Sequence, residues 1–295
     1  MITLDQEVSW INFLGIANID GVEAIRMIAF SDNVQVRKDV PSGTIIINRP
    51  DRRNALSREI VALVHESLED LLMESSVKAV ILTGTGTTFC SGSDLHQIKE
   101  TSSEPDAMMR WHQDANQFLE LIQYMLDYPK PIIAAVNGWV VGSGCALMLA
   151  SDIVVASEKA HLMMPEAVRG LSAGFTAPLL AFRAGVGVSA KVLLSGLPHE
   201  AAEVANLGLF HELVPDDFVW ARAHALASHV AEGARESHQM TKQLLNGTVG
   251  ENLLTQLNIG AANTAAARTT PAAQEGINAF LEKRQPDWES LKVID

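Results

Sequence analysis

Three short, wholly apolar runs constrain this chain more than any other feature of its sequence. Ala79-Val80-Ile81-Leu82 ends at Thr83-Gly84, Ile132-Ile133-Ala134-Ala135-Val136 ends at Asn137-Gly138, and Ile153-Val154-Val155-Ala156 follows. A strand with one wet face alternates apolar and polar residues, whereas a strand covered on both faces is apolar throughout. The runs therefore predict central strands of a parallel-type sheet in an α/β fold. Strand, loop and helix recur along the chain, which predicts an architecture of successive turns.

The flanking segments extend this pattern. Val34–Lys38 and Thr44–Ile47 predict two strands joined by a turn at Pro41-Ser42-Gly43. Ser57 is suited to cap a helix whose apolar residues Ile60, Leu63, Val64, Leu68, Leu71 and Leu72 share one face. Residues 1–30 match no pattern and are expected to be an N-terminal extension; residues 31–199 are expected to hold the core. After about Gly196 the strand signals thin out. Helices are predicted over 200–205, 218–231, 237–245, 253–267 and 271–283, so 200–295 reads as a helical region where chains associate.

Composition narrows the function. With 22 Lys+Arg against 35 Asp+Glu the formal charge is −13 over 295 residues. Nucleic-acid binding needs clustered positive charge to release counterions, so no nucleic-acid partner is expected. The two cysteines, Cys90 and Cys145, form no CxxC pair and no zinc pattern, so neither a disulfide framework nor a metal is expected. The N-terminus carries Asp5 and Glu7 where a secretory signal would be basic, and no apolar run reaches 18 residues. These features predict a cytoplasmic protein with no membrane partner.

Several glycine-rich segments invite a motif reading. Gly84-Thr85-Gly86-Thr87-Thr88-Phe89 follows a strand but puts Phe89 where a dinucleotide fingerprint needs its third glycine. Gly170-Leu171-Ser172-Ala173-Gly174 matches a nucleophile elbow, yet no buried strand enters it. Two other segments carry more, Thr88-Phe89-Cys90-Ser91-Gly92-Ser93-Asp94-Leu95 and Asn137–Leu147. Each lies between an apolar strand and a predicted helix. Small residues there let a ligand approach the backbone, and free N–H groups at a helix start stabilise negative charge. Spacing alone leaves two readings open: a pair of tight turns, or the two halves of an oxyanion hole.

Five segments in order now carry a resemblance: Asn48-Arg49-Pro50 with Asn54-Ala55-Leu56, FCSGSDL, KPIIAAVNGWVVGSGCALMLASDIVVAS, MPEAVRGL, and AFLEKRQP. From about Val34 to Trp288 the chain resembles the crotonase superfamily, the enoyl-CoA hydratase/isomerase family. The resemblance implies a spiral of ββα turns with a C-terminal helical subdomain that builds homotrimers or hexamers. It implies an acyl-CoA thioester substrate, with coenzyme A entering as part of the substrate and no separate cofactor. The thioester oxygen would lie between the backbone amides of Ser93 and Ser143. Ser143 would be strained if that position required a positive φ. CoA would run along Arg52, Arg53, Ala55 and Leu56 and along Ser93, Asp94, Leu95 and His96. Phe280 and Lys283, supplied by a neighbouring chain, would meet its adenine end.

Glu166 matches one of the two glutamates that family hydratases use, and the resemblance makes it the acid/base; a carboxylate balancing a helix start is the structural alternative. The other glutamate position holds Ala146, the chain's main departure from the family. Hydration needs two carboxylates to orient and deprotonate water, whereas one suffices to carry a proton from C2 to C4. Double-bond isomerisation is therefore the first expectation. A hydratase with a substitute group drawn from His112, Asp114 or Glu120 is the alternative, followed by thioester hydrolysis, decarboxylation, C–C cleavage or non-catalytic acyl-CoA binding. Asp94 is expected to cap a helix, Asp152 to be structural, and both cysteines to be small buried residues.

Overall fold

The computed structural model describes residues 27–249 and 251–291. The chain opens with an antiparallel meander of β1 (Met27–Ser31), β2 (Val34–Asp39) and β3 (Ser42–Ile47). The extension drawn at 1–30 is thus too long. From Met27 the backbone already pairs with β2 across a tight turn at Asp32-Asn33. Residues 1–26 lie outside the described residues.

Three spiral turns follow, each sending one strand to a main sheet and the next to a second sheet. β4 (Ala79–Gly84) precedes β5 (Thr88–Cys90), β6 (Ile132–Val136) precedes β7 (Trp139–Val141), and β8 (Ile153–Ser157) precedes β9 (His161–Met163). The second sheet has the order β10-β9-β7-β5, with β10 at Pro198–Glu200. The main sheet runs β1-β2-β3-β4-β6-β8-β11, parallel from β3 onward, with β11 at Glu212–Val214. The helices are α1 (Arg58–Met73), α2 (Leu95–Thr101), α3 (Ala107–Asp127), α4 (Ser143–Ala150), α5 (Thr176–Ser195), α6 (Ala201–Asn206), α7 (Val219–Val230), α8 (Arg235–Gln243), α9 (Glu251–Ala267) and α10 (Pro271–Leu281).

The apolar runs are explained by two covers. Along β4, Val80 and Leu82 join the main core with Ile60, Val64 and Leu68 of α1. Ala79 and Ile81 face the other way, with Ile133, Ala135 and Val155, onto Val219, Ala223 and Ala227 of α7. Full burial of each such Val, Leu or Ile contributes about 1.5–3 kcal/mol. Ser57 caps α1 by accepting the Ile60 N–H at 3.3 Å. Asp152 accepts the Ile132 N–H at 2.8 Å and the Lys242 ammonium at 2.7 Å, tying β6 to α8.

Two expectations about the C-terminal half need correction. The helical region drawn at 200–295 also contains β11, a three-residue strand that completes the main sheet, and α7 is that sheet's second cover. And although no apolar run of spanning length was expected, α5 has the length and composition to cross a membrane. That helix packs on α4 and α9. It breaks its helical geometry at Gly185, and its Arg183 donates to the Leu149 and Ser151 carbonyls at 3.0 and 3.2 Å.

The last two helices close over the site of their own chain through glycine. A Cβ on Gly260 of α9 would stand 1.8 Å from the Gly174 carbonyl oxygen, and one on Gly276 of α10 would stand 2.1 Å from the Arg169 carbonyl oxygen. Backbone meets backbone at both points, which no other residue permits.

Candidate active site

Two loops at the sheet's edge leave amides free. Leu56 and Ser93 form a parallel bridge: Leu56 N donates to Gly92 O at 2.8 Å and Asp94 N donates to Leu56 O at 2.9 Å. That pattern uses the amides on either side and leaves Ser93 N without a partner among the described residues. Ser143 opens α4, and a first-turn amide has no intrahelical acceptor. The preceding Gly142 takes the positive φ of 53°, so Ser143 is spared the strain anticipated for it. A Cβ on Gly92 would lie 3.0 Å from Ser143 N, so the loops abut. Their two hydroxyls, Ser93 Oγ and Ser143 Oγ, hydrogen-bond to each other at 2.9 Å.

Glu166 stands over the second loop. It follows β9 and leads into a short 3-10 turn, Ala167–Arg169. Its Oε1 accepts from Thr176 Oγ1 at 3.2 Å and lies 3.7 Å from where a Cβ on Gly142 would be. Its Oε2 is buried with no hydrogen-bond partner. Burial pushes the Glu166 carboxyl above the ordinary carboxylate range, opposed by the Thr176 bond and the Arg169 charge.

Glu166, Ser93 and Ser143 line one pocket, whose apolar wall includes Ile98, Leu171 and Phe175. Among the described residues, Glu166 is the one carboxylate lining it. Ala146 is fully buried in α4 and does not line the pocket. Of the proposed substitutes, Glu120 is exposed and His112 half-buried, and neither lines this pocket; Asp114 lines an adjoining chamber, where both its oxygens accept from Arg58. Cys90 and Cys145 are free and fully buried, and burial pushes the Cys90 thiol up to about 12, so it stays protonated. The described residues contain no cluster of three His, Cys, Asp or Glu able to hold a metal.

A second, open groove of about 1770 Å³ adjoins the pocket. It gathers Arg52, Arg53, Ala55, Asp94, Leu95, His96 and Phe280. Leu56 is not on its surface; it is buried and acts through the backbone bridge to Ser93. Asp94 caps α2 by accepting from His96 N at 3.1 Å and Gln97 N at 3.4 Å. Phe280 lines the groove of its own chain. The close approach at Gly276 holds α10 there, and the Arg169 guanidinium lies 4.3 Å from the Phe280 ring centre. Lys283 is exposed and does not line the groove.

Sequence reasoning missed several residues that shape this site. Arg49 donates to Ala55 O at 2.9 Å and to Asp94 Oδ2 at 3.2 Å. The buried Asn54 accepts from Arg49 N at 2.9 Å and donates to Thr85 O at 2.9 Å and Thr88 O at 2.6 Å. Together they latch the groove loop to the loop carrying Ser93. Both lay within the segment that carries the resemblance, and so did Arg169, which lines pocket and groove alike. The Gly170–Gly174 segment is entered by the 3-10 turn and not by a strand, so it lacks the frame of a nucleophile elbow.

Residues 42–291 match the Enoyl-CoA hydratase/isomerase family model. A Thermus thermophilus protein provisionally named an enoyl-CoA hydratase is 36% identical over 256 residues, covering 86% of this chain and 99% of its own. An Escherichia coli 1,2-epoxyphenylacetyl-CoA isomerase is 31% identical over 248 residues, covering 83% and 94%. Among solved structures, a carnitinyl-CoA hydratase from Mycobacterium avium superposes with a TM-score of 0.75 at 31% identity, covering 88% of this chain and 100% of that one. With its spiral fold and the matching span of sequence, the chain belongs to the enoyl-CoA hydratase/isomerase family of the crotonase superfamily.

Proposed function

We propose that this acyl-CoA enzyme isomerises a double bond, moving it from the 3 to the 2 position of an enoyl thioester. The observation that carries this reading is the lone carboxylate in the pocket, with the buried Ala146 where a hydratase would need a second. The thioester oxygen sits between the amides of Ser93 and Ser143, which stabilise the charge that develops on it. Glu166 removes a proton from C2, the electrons delocalise onto the oxygen, and the same carboxyl returns the proton at C4 as the 2,3 double bond forms. The buried Oε2 without a partner supports this role, since it is free to receive a proton. A carboxyl raised above its ordinary range is a better proton acceptor than an exposed one. No water is added, so no second carboxylate is required.

Coenzyme A lies in the groove as part of the substrate, near Arg52, Arg53, His96 and Phe280. These arginines supply local positive charge on an acidic chain. Exposed apolar side chains, among them Val186, Leu194, Leu197 and Ile259, support self-association as a homotrimer or hexamer. The reaction is tested by supplying matched 3-enoyl- and 2-enoyl-CoA and following the products by NMR. Interconversion without a 3-hydroxyacyl product supports isomerisation; accumulation of the 3-hydroxyacyl thioester makes the enzyme a hydratase.

A further inference from the structure

The acyl pocket contains an arginine that the proposed reaction does not use. Arg268 follows α9 directly and is only 6% exposed. It lines the Glu166 pocket and also an adjoining chamber, which Ser93 and Ser143 border as well. Its guanidinium makes no hydrogen bond among the described residues, and Nη1 is shut from solvent without a partner. Asp114 stands 3.7 Å away, beyond hydrogen-bond distance, and both of its oxygens already accept from Arg58. One carboxylate thus serves two guanidinium groups. One turn earlier on the same helix, Thr264 Oγ1 also lines the pocket, buried and unpartnered.

A guanidinium cannot shed its proton to escape burial, and an uncompensated buried charge is costly. Neither group is explained by packing alone, since a methionine and a valine would fill the same space. The pairing of charges points the same way. Around pocket and chamber stand three arginines, Arg58, Arg169 and Arg268, and three acids, Glu166, Asp94 and Asp114. Asp94 is already held by Arg49, which lines neither space, and both Asp114 oxygens by Arg58, so no carboxylate is left to hydrogen-bond Arg268.

We propose that Arg268 anchors a carboxylate on the acyl group of the substrate, with Thr264 as a second donor, so that this chain acts on carboxyacyl-CoA thioesters. The inference rests on the pocket being the acyl site, as read above. Ile98, Leu171 and Phe175 contact the methylene stem, and the substrate carboxylate completes the pairing that Asp114 leaves unfinished.

The test uses non-reacting CoA thioethers in matched pairs of increasing length, one member ending in a carboxylate and the other in a methyl group. Each is titrated calorimetrically into the full-length protein. At one length the carboxylate is expected to bind about tenfold to a hundredfold tighter. That preference is expected to collapse in Arg268→Met and to survive in part in Arg268→Lys. If the unaltered protein shows no preference at any length, the inference is overturned, whether or not the variants fold. Retention of the preference in a folded Arg268→Met protein also overturns it. Deuterium exchange at C2 of the neutral thioester separates the two ideas. Glu166-dependent exchange without carboxylate preference rejects the anchor and keeps the acyl site; failure to bind any thioether rejects both.

Discussion

Ser93 Oγ and Ser143 Oγ lie 2.9 Å apart, joining the hydroxyls of the two loops whose amides are free. Only one of the two can donate in that bond, so one O–H remains available. The proposed donors to the thioester oxygen are the amides, not the hydroxyls. Ser143→Ala is then expected to lose less than about tenfold in kcat. Ser143→Pro, which has no N–H, is expected to lose about 10²–10³-fold. Proline suits the first helical position. Gly142, at φ 53° and ψ −125°, has the mirror image of the extended geometry that precedes proline, which an achiral residue adopts freely. Equal losses in the two variants would assign the work to the hydroxyl.

Glu166→Gln is expected to reduce deuterium exchange at C2 by about 10²–10⁴-fold while leaving CoA affinity within about twofold. Isothermal titration with CoA and NMR exchange on one protein preparation check both halves. Undiminished exchange would remove Glu166 from the reaction.

The same carboxyl sets a pH signature. Burial holds its folded-state pKa above the ordinary value of 4.5, so the folded chain binds this proton more tightly than the unfolded one. The stability it contributes is full below that ordinary value and is lost as pH rises through the folded one. Glu166→Gln should therefore melt higher than the parent at neutral pH, with the gap closing below about pH 4.5. The base form is needed for proton removal, so the acidic limb of kcat/KM should lie above pH 4.5. Melting curves and rate profiles across this range check the two signs together.

Phe280 lines its own chain's groove, with Arg169 against its ring. Phe280→Ala is expected to raise KM for CoA thioesters about threefold to tenfold, with kcat nearly unchanged, consistent with a contact worth about 0.5–1.5 kcal/mol. Because the contact is within one chain, mixed oligomers of Phe280→Ala and Glu166→Gln protomers should contain no repaired site. Recovery of parental KM in such mixtures would show the residue reaching a neighbour.

The central strands were legible because burial on two faces leaves no polar residue in Ala79–Leu82 or Ile132–Val136. Loop amides were legible because small residues followed each strand. β11 was not: three residues that pair with a single neighbour leave no periodic trace. That Phe280 reaches the groove of its own chain was also hidden, since it depends on the path of α9 and α10 and not on the residue itself. Arg268 gave no signal for a similar reason. An arginine after a helix reads as a solvated cation compatible with the helix dipole, and only the packing of α9 against α3 buries it.

Gly174 and Gly260 touch back to back, so neither can acquire a side chain while the other keeps its place. The two positions form one inherited unit, open to change only through a joint displacement of helix and loop. Selection for a different acyl chain is therefore channelled away from this seam and toward Ile98, Leu171 and Phe175, which border the pocket with side chains that can be exchanged one at a time. The seam works as a fixed gauge: it sets the height of the chamber, and only its furnishing is free to vary.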